Sequence, residues 1–258
     1  MTPFAFGRLS GLALCGPARL LLAVSLVMAL SACRDQASEY YLHGTTLGTG
    51  YHITLYADLD QSQVAELEAG IQGELATLER QRSIFTQALD AAFSHFWIAT
   101  PSLRHETDRV VHSLAVDRLT RWLEDHPMAP AAMLVEVGGV MRGRGKPSEN
   151  GWRLSLEQAG LSGPDGARHL RLQDAALVQR FAQQDVVPLV TLSTPLAVSV
   201  VAPSASEAMQ QASLLIQADP ADALLLAESM DSAARVVVKT PQGIEIQHTA
   251  ALEPWLEP

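Results

Sequence analysis

The chain has 258 residues, 48% of them hydrophobic and 18% charged, a balance that excludes a disordered chain, a collagen-like repeat and a polytopic membrane protein. Its formal charge is −10, and only Arg8 and Arg19 are charged in the first 32 residues, which leaves 16 basic (18 less these two) against 28 acidic residues beyond them. A body this acidic repels phosphate backbones, so no nucleic-acid partner is expected.

Residues 1–32 read as a lipoprotein signal peptide. Arg8 and Arg19 precede an apolar run over residues 20–30. At 1.5 Å per residue such a helix spans about 16 Å, roughly half of a hydrocarbon core, so it is an export h-region and not a membrane span. The run closes on Leu30-Ser31-Ala32-Cys33, which resembles the bacterial lipobox, the pattern cut before a cysteine that is then acylated. Cys33 is therefore the expected lipidation site, the lipid bilayer an expected partner, and the cell envelope the expected location, lipid-anchored and facing the periplasm. Arg34 after the cysteine favours the outer membrane over the inner. The only other cysteine, Cys15, lies inside the signal, so no disulfide framework or cysteine metal site is available further on.

A spacer over residues 33–40 leads into one domain, residues 41–258. Tyr51-His52-Ile53-Thr54-Leu55-Tyr56 alternates as a strand does. Asp60 is placed to cap a helix whose inward positions are Val64, Leu67, Ile71, Leu75 and Leu78. Residues 83–104 carry little pattern beyond an aromatic cluster, Phe93, Phe96 and Trp97. A second helix is predicted over 107–125, with Val111, Leu114, Leu119 and Trp122 inward. Residues 133–137 form a strand ending on Gly138-Gly139, with residues 152–156 as its expected hairpin partner. A strand over 196–201 precedes a helix opened by a capping box, Ser204 and Glu207. Asp219-Pro220 is expected to open the next helix. Two last strands, 235–239 and 244–247, flank a turn at 240–243. Strands and helices in this order, without regular βαβ units, indicate an α+β fold.

Local chemistry motifs are few. Gly-Arg-Gly-Lys-Pro-Ser at 143–148 fails as a phosphate loop, because Val140 stands where that motif needs glycine and Pro147 where it needs Ser or Thr. It reads as an exposed basic hairpin loop. His105 and His112 are about 10 Å apart along a helix, too far for one metal, and read as surface histidines.

A longer pattern says more. Gly44-Thr45-Thr46-Leu47-Gly48-Thr49-Gly50-Tyr51 resembles the opening of the bacterial FAD:protein FMN transferases, formerly called thiamine-biosynthesis lipoproteins. Ala115-Val116-Asp117-Arg118-Leu119 is similar to that family's Gly-Tyr-Ala-x-Asp helix. Leu134 to Gly139 and Gly151-Trp152-Arg153 resemble its glycine-pair and tryptophan strands, and residues 198–205 its Ser-Val-Thr-Val-x-Ala-Pro junction. The resemblance implies a flavin-transferase-like fold, a mixed sheet with flanking helices. It also implies FAD and magnesium as cofactors in moving FMN onto a threonine of a target protein. Gly138 and Gly139 are then the candidate flavin contacts.

The departures bear on chemistry. Counted on from Ala202-Pro203, the family's metal-binding Asp falls on Met209 and the following Thr on Ser213. Magnesium takes oxygen ligands, so Ser213 is a metal candidate and the soft Met209 thioether is not. His112, Ser113 and Leu114 replace a Lys or Glu, a Gly and a Tyr, and the family's His-x-x-Asp-Pro-x-x-Gly loop is absent. The chain is shortened around 83–104 and 183–195, where parts of the family's flavin pocket belong. Two readings follow. One is a non-catalytic relative with a binding or accessory role, with a flavinylated envelope redox protein as partner. The other is an active magnesium-dependent transferase with an altered site.

Overall fold

The alternation at residues 51–56 turns Tyr51, Ile53 and Leu55 to one side, and all three are buried there. The computed structural model describes residues 37–93, 100–156, 168–182 and 194–257, and places this run in β2 (Thr49–Ala57). β2 is flanked by β1 (Ser38–Thr46) and β3 (Ala132–Val137). The sheet continues through β4 (Val140–Arg144), β7 (Ala175–Phe181), β8 (Ala197–Ala202), β9 (Ala233–Thr240) and β10 (Gly243–His248). Its order is β1-β2-β3-β4-β7-β8-β9-β10. Every pairing is antiparallel, where a mixed sheet was expected.

Helices cover one face. α1 (Gln61–Phe93) is capped by Asp60, whose Oδ1 accepts from the N–H groups of Ser62 and Gln63, while Gln63 returns a bond to the Asp60 N–H. Leu67, Ile71, Leu75 and Leu78 are buried as expected and meet α2 (Thr100–Asp125), with Leu119 and Leu123 between the helices and the sheet. Glu74 pairs with Arg118 and Arg82 with Asp108 across the two helices. α3 (Ala205–Gln217) and α4 (Ala223–Ser229) complete this layer.

The opposite face carries a two-stranded sheet, β5 (Trp152–Leu156) and β6 (Arg168–Leu172), and a 3-10 helix over Ala250–Trp255. Trp152, Leu156, Leu170, Leu172 and Leu252 pack there on Leu177 and Val201. Glu257 closes the layer by accepting from Arg153 and Arg171, and the Arg153 bond holds its carboxyl below the usual range. The fold is α+β, as expected.

Several local expectations change. β3 pairs with β4, not with residues 152–156, because Gly138 and Gly139 both adopt positive φ (58° and 81°) and close a two-residue turn at once. The basic stretch at 143–148 therefore begins inside a strand. β1 begins at Ser38, within the segment read as spacer. α1 and α2 reach into 83–104, which carried little pattern. Leu114 faces outward at 47% exposure. Asp219 caps a turn, donated to by the Ala221 N–H, and α4 starts only at Ala223. Cys15, Cys33, the whole signal segment, Phe96, Trp97 and residues 183–193 lie outside the described residues. No described helix is long and apolar enough to cross a membrane.

Candidate functional site

The junction between β8 and α3 is fixed by one carboxylate. Asp117 projects from α2 and is buried. Its Oδ1 accepts from the Ala205 N–H at 2.9 Å and from Arg142 Nη1 at 2.6 Å. Its Oδ2 accepts from the Ser206 N–H at 2.9 Å and the Ser206 hydroxyl at 2.7 Å. Two of these donors are first-turn amides of α3, where the helix dipole favours negative charge. Asp117 is thus a clamp that sets where α3 starts. The sequence showed the aspartate but not its partners, since Arg142 and Ser206 come from distant segments. Ser204 caps the same helix, accepting from the Glu207 N–H at 3.2 Å. The expected return bond is not made: the Glu207 carboxylate accepts from Gln211 instead.

One turn further along α3 stands Met209, 2% exposed and packed into the main core. A further turn on is Ser213. Its hydroxyl accepts a 2.6 Å bond from Nη1 of Arg180, a residue of β7. Ala176, Val178 and Arg180 alternate onto the helix face of the sheet, so the row ends in a guanidinium with only 5% exposure. Arg180 also grips Glu106 of α2 through both terminal nitrogens, with Nη1 3.1 Å from Oε2. Burial, with Arg180 beside it, lowers the guanidinium of neighbouring Arg109 below its usual value. Between α2 and α3 lies a groove of about 600 Å³, lined by Glu106, Val110, Leu114, Glu207, Met209, Ser213 and Leu214.

Gly138 and Gly139 lie elsewhere, at the β3–β4 turn. The Gly138 N–H donates to the Gly50 carbonyl at 3.1 Å. A Cβ built on Gly138 would sit 2.5 Å from Nδ1 of His112, whereas one on Gly139 meets nothing within 4 Å. The close approach at Gly138 is therefore made by the chain's own imidazole. His112 is half-buried, not a surface histidine, because α2 carries it under the β1–β2 turn. Its Nε2 lies 3.3 Å from the carbonyl of Leu47, and burial lowers its pKa from the ordinary 6.5. His105 is exposed, as expected. The hydrogen bonds of the described residues tie the glycine turn to β2, and tie Ser213 to β7 and through it to α2. The two candidate sites are not joined by them.

A magnesium site does not fit these residues. Met209 offers a buried thioether, and the Ser213 oxygen is already taken by a cation. Among the described residues no three His, Cys, Asp or Glu side chains are grouped to hold a metal.

Comparison of the sequence with protein-family models and with curated proteins gives no match. Solved structures do match. The apo flavinyl transferase ApbE of Pseudomonas stutzeri superposes with a TM-score of 0.66 at 16% identity, covering 86% of this chain and 98% of that one. The flavin transferase ApbE of Vibrio cholerae gives 0.61 at 14% identity, covering 85% and 99%. The apbE protein of Thermotoga maritima gives 0.61 at 13%, covering 86% and 100%. With nearly the whole of each of these proteins and most of this chain covered by the match, this chain has the fold of the ApbE flavin transferases.

Proposed function

We propose that this chain is a lipid-anchored envelope lipoprotein of the FAD:protein FMN transferase family that has kept the fold without transferase activity. It serves as a binding or accessory protein in protein flavinylation, or beside a flavinylated redox complex. The observation that carries the reading is the state of α3, where Met209 is part of the core and Ser213 is bonded to Arg180. Transfer of FMN from FAD breaks a pyrophosphate bond, and charge develops that a cation must neutralise. No described cluster here holds that cation. In the groove beside α3 the carboxylate of Glu106 is already paired with Arg180, which leaves it uncommitted to any metal.

The test is covalent flavin on a threonine-containing acceptor protein, read by in-gel fluorescence with FAD and magnesium supplied. The expected outcome is no labelling above an acceptor-only control. Strong, chelator-sensitive labelling by the unaltered chain reinstates the second reading, an active magnesium-dependent transferase.

A further inference from the structure

We propose that Arg180 stands in for a divalent cation at the α3 face, bridging the oxygen of Ser213 to the carboxylate of Glu106 and keeping metal out. The proposal rests on the reading of the chain as a non-catalytic relative.

A metal at this face would draw oxygen ligands from neighbouring elements toward one positive centre. Arg180 does the same with a guanidinium. From β7, it reaches the hydroxyl of α3 at 2.6 Å and the carboxylate of α2 in a two-nitrogen fork, so three elements meet on one positive charge. The charge is covalently held and nearly inaccessible. Its Nε–H is buried with no hydrogen-bond partner among the described residues, so part of the fork's donor capacity is given up to hold the head group in this position. A magnesium ion on the Ser213 oxygen would have to sit about 2 Å from it. It would lie within contact distance of a like-charged nitrogen whose own bond uses that oxygen. Arg109 adds a second guanidinium close by. Where the resemblance leads one to expect an acid at position 209 the chain has methionine, and Arg180 supplies at Ser213 and Glu106 the positive charge that a bound metal would have supplied.

This reading makes a back-substitution at 209 insufficient. A carboxylate introduced by Met209→Asp stands one helical turn before Ser213, on the same face, and pairs with Arg180 rather than with metal. The experiment is titration of Mn(II) into the full chain in detergent, with free Mn(II) read by electron paramagnetic resonance and folding checked by circular dichroism. The unaltered chain and Met209→Asp are expected to leave the free-ion signal unchanged. The double variant Met209→Asp with Arg180→Met is expected to bind at least tenfold more tightly than either.

Should the buried aspartate unfold the chain, Arg180→Met alone carries the test. With the guanidinium gone, Glu106 and Ser213 bind Mn(II) at least tenfold more tightly than the unaltered chain does, and Ser213→Ala in that background removes the gain. Absence of any gain in Arg180→Met overturns the proposal. So does Mn(II) binding by the unaltered chain that Ser213→Ala abolishes, or a gain in Met209→Asp equal to that of the double variant. The two readings fail separately. FMN transfer that persists in chelator defeats the non-catalytic reading and leaves Arg180 in its role. Serine-dependent Mn(II) binding without transfer does the reverse.

Discussion

The surroundings of His112 disfavour its charged form. Burial is the main cause, and the positive charges of Arg82 and Arg109 act in the same direction, against Asp108 and the bond to Leu47. With the Leu47 carbonyl as acceptor, Nε2 carries the proton. The unfolded chain binds a proton near the ordinary 6.5, the folded chain only at lower pH. Between those two values the unfolded state holds more protons, so stability rises with pH across the window and is lost as pH falls below 6.5. Urea midpoints measured from pH 7.5 down to 5 should therefore fall, and His112→Gln should reduce that slope. Equal slopes in the two proteins would remove His112 from the account. A sequence shows a histidine's position on its helix but not what packs above it. His112 and His105 looked alike at seven residues' separation, and only the β1–β2 turn lying over one of them separates their chemistry. The same holds for Met209 and Ser213. Their chemical types were legible, while the guanidinium committed to Ser213 comes from a strand 33 residues away.

Among elements, the contact of α1 with α2 depends on a glycine that helix propensity disfavours. Gly70 stands in the middle of α1, where alanine would ordinarily be worth about 1 kcal/mol more. A Cβ there would lie 2.4 Å from Cη2 of Trp122 and 2.5 Å from Cζ2, far inside van der Waals contact. The indole fills the space a side chain would take. Gly70→Ala should therefore destabilise the protein despite the better helix former, by about 1–3 kcal/mol as overpacking does. Chemical denaturation of the two proteins measures it, and a raised midpoint in the variant would show that Trp122 swings aside. Elements with a single period and a cap were readable in advance, such as α1 with its Asp60 cap and α3 with Ser204. β7 was not. Its Ala-Ala-Leu-Val-Gln-Arg-Phe is buried on both faces, Ala176 and Val178 toward the helices and Ala175 and Leu177 toward the small sheet, so no alternation marks it. β4 was hidden for another reason: its glycine and two arginines look like a loop until Gly143 is seen against Trp152 and Arg142 against Asp117.

For the whole molecule, order along the chain and order in the sheet diverge at β5 and β6, which leave the main sheet between β4 and β7 to form the second layer. Spacing alone cannot reveal such an excursion, which is why residues 152–156 looked like the partner of 133–137. The α+β class was still legible, because helix-period and strand-period segments follow one another without the repeat a parallel sheet needs. The remaining question at this scale is where the domain resides. No described helix is long and apolar enough to cross a bilayer, and the anchor proposed above is Cys33, in the segment before residue 37. Each buried methylene of an acyl chain contributes about 0.8 kcal/mol, one chain binds only reversibly, and two chains anchor stably. Diacylation of Cys33 should therefore send the protein wholly to the membrane fraction. Cys33→Ser removes the thiol proposed to carry the lipid, and the variant should lose both the acyl mass and sedimentation with membranes. Fractionation with metabolic labelling by a palmitate analogue reads both at once. Unchanged membrane association of an unlabelled Cys33→Ser protein would show that something other than acylation holds this acidic domain at the envelope.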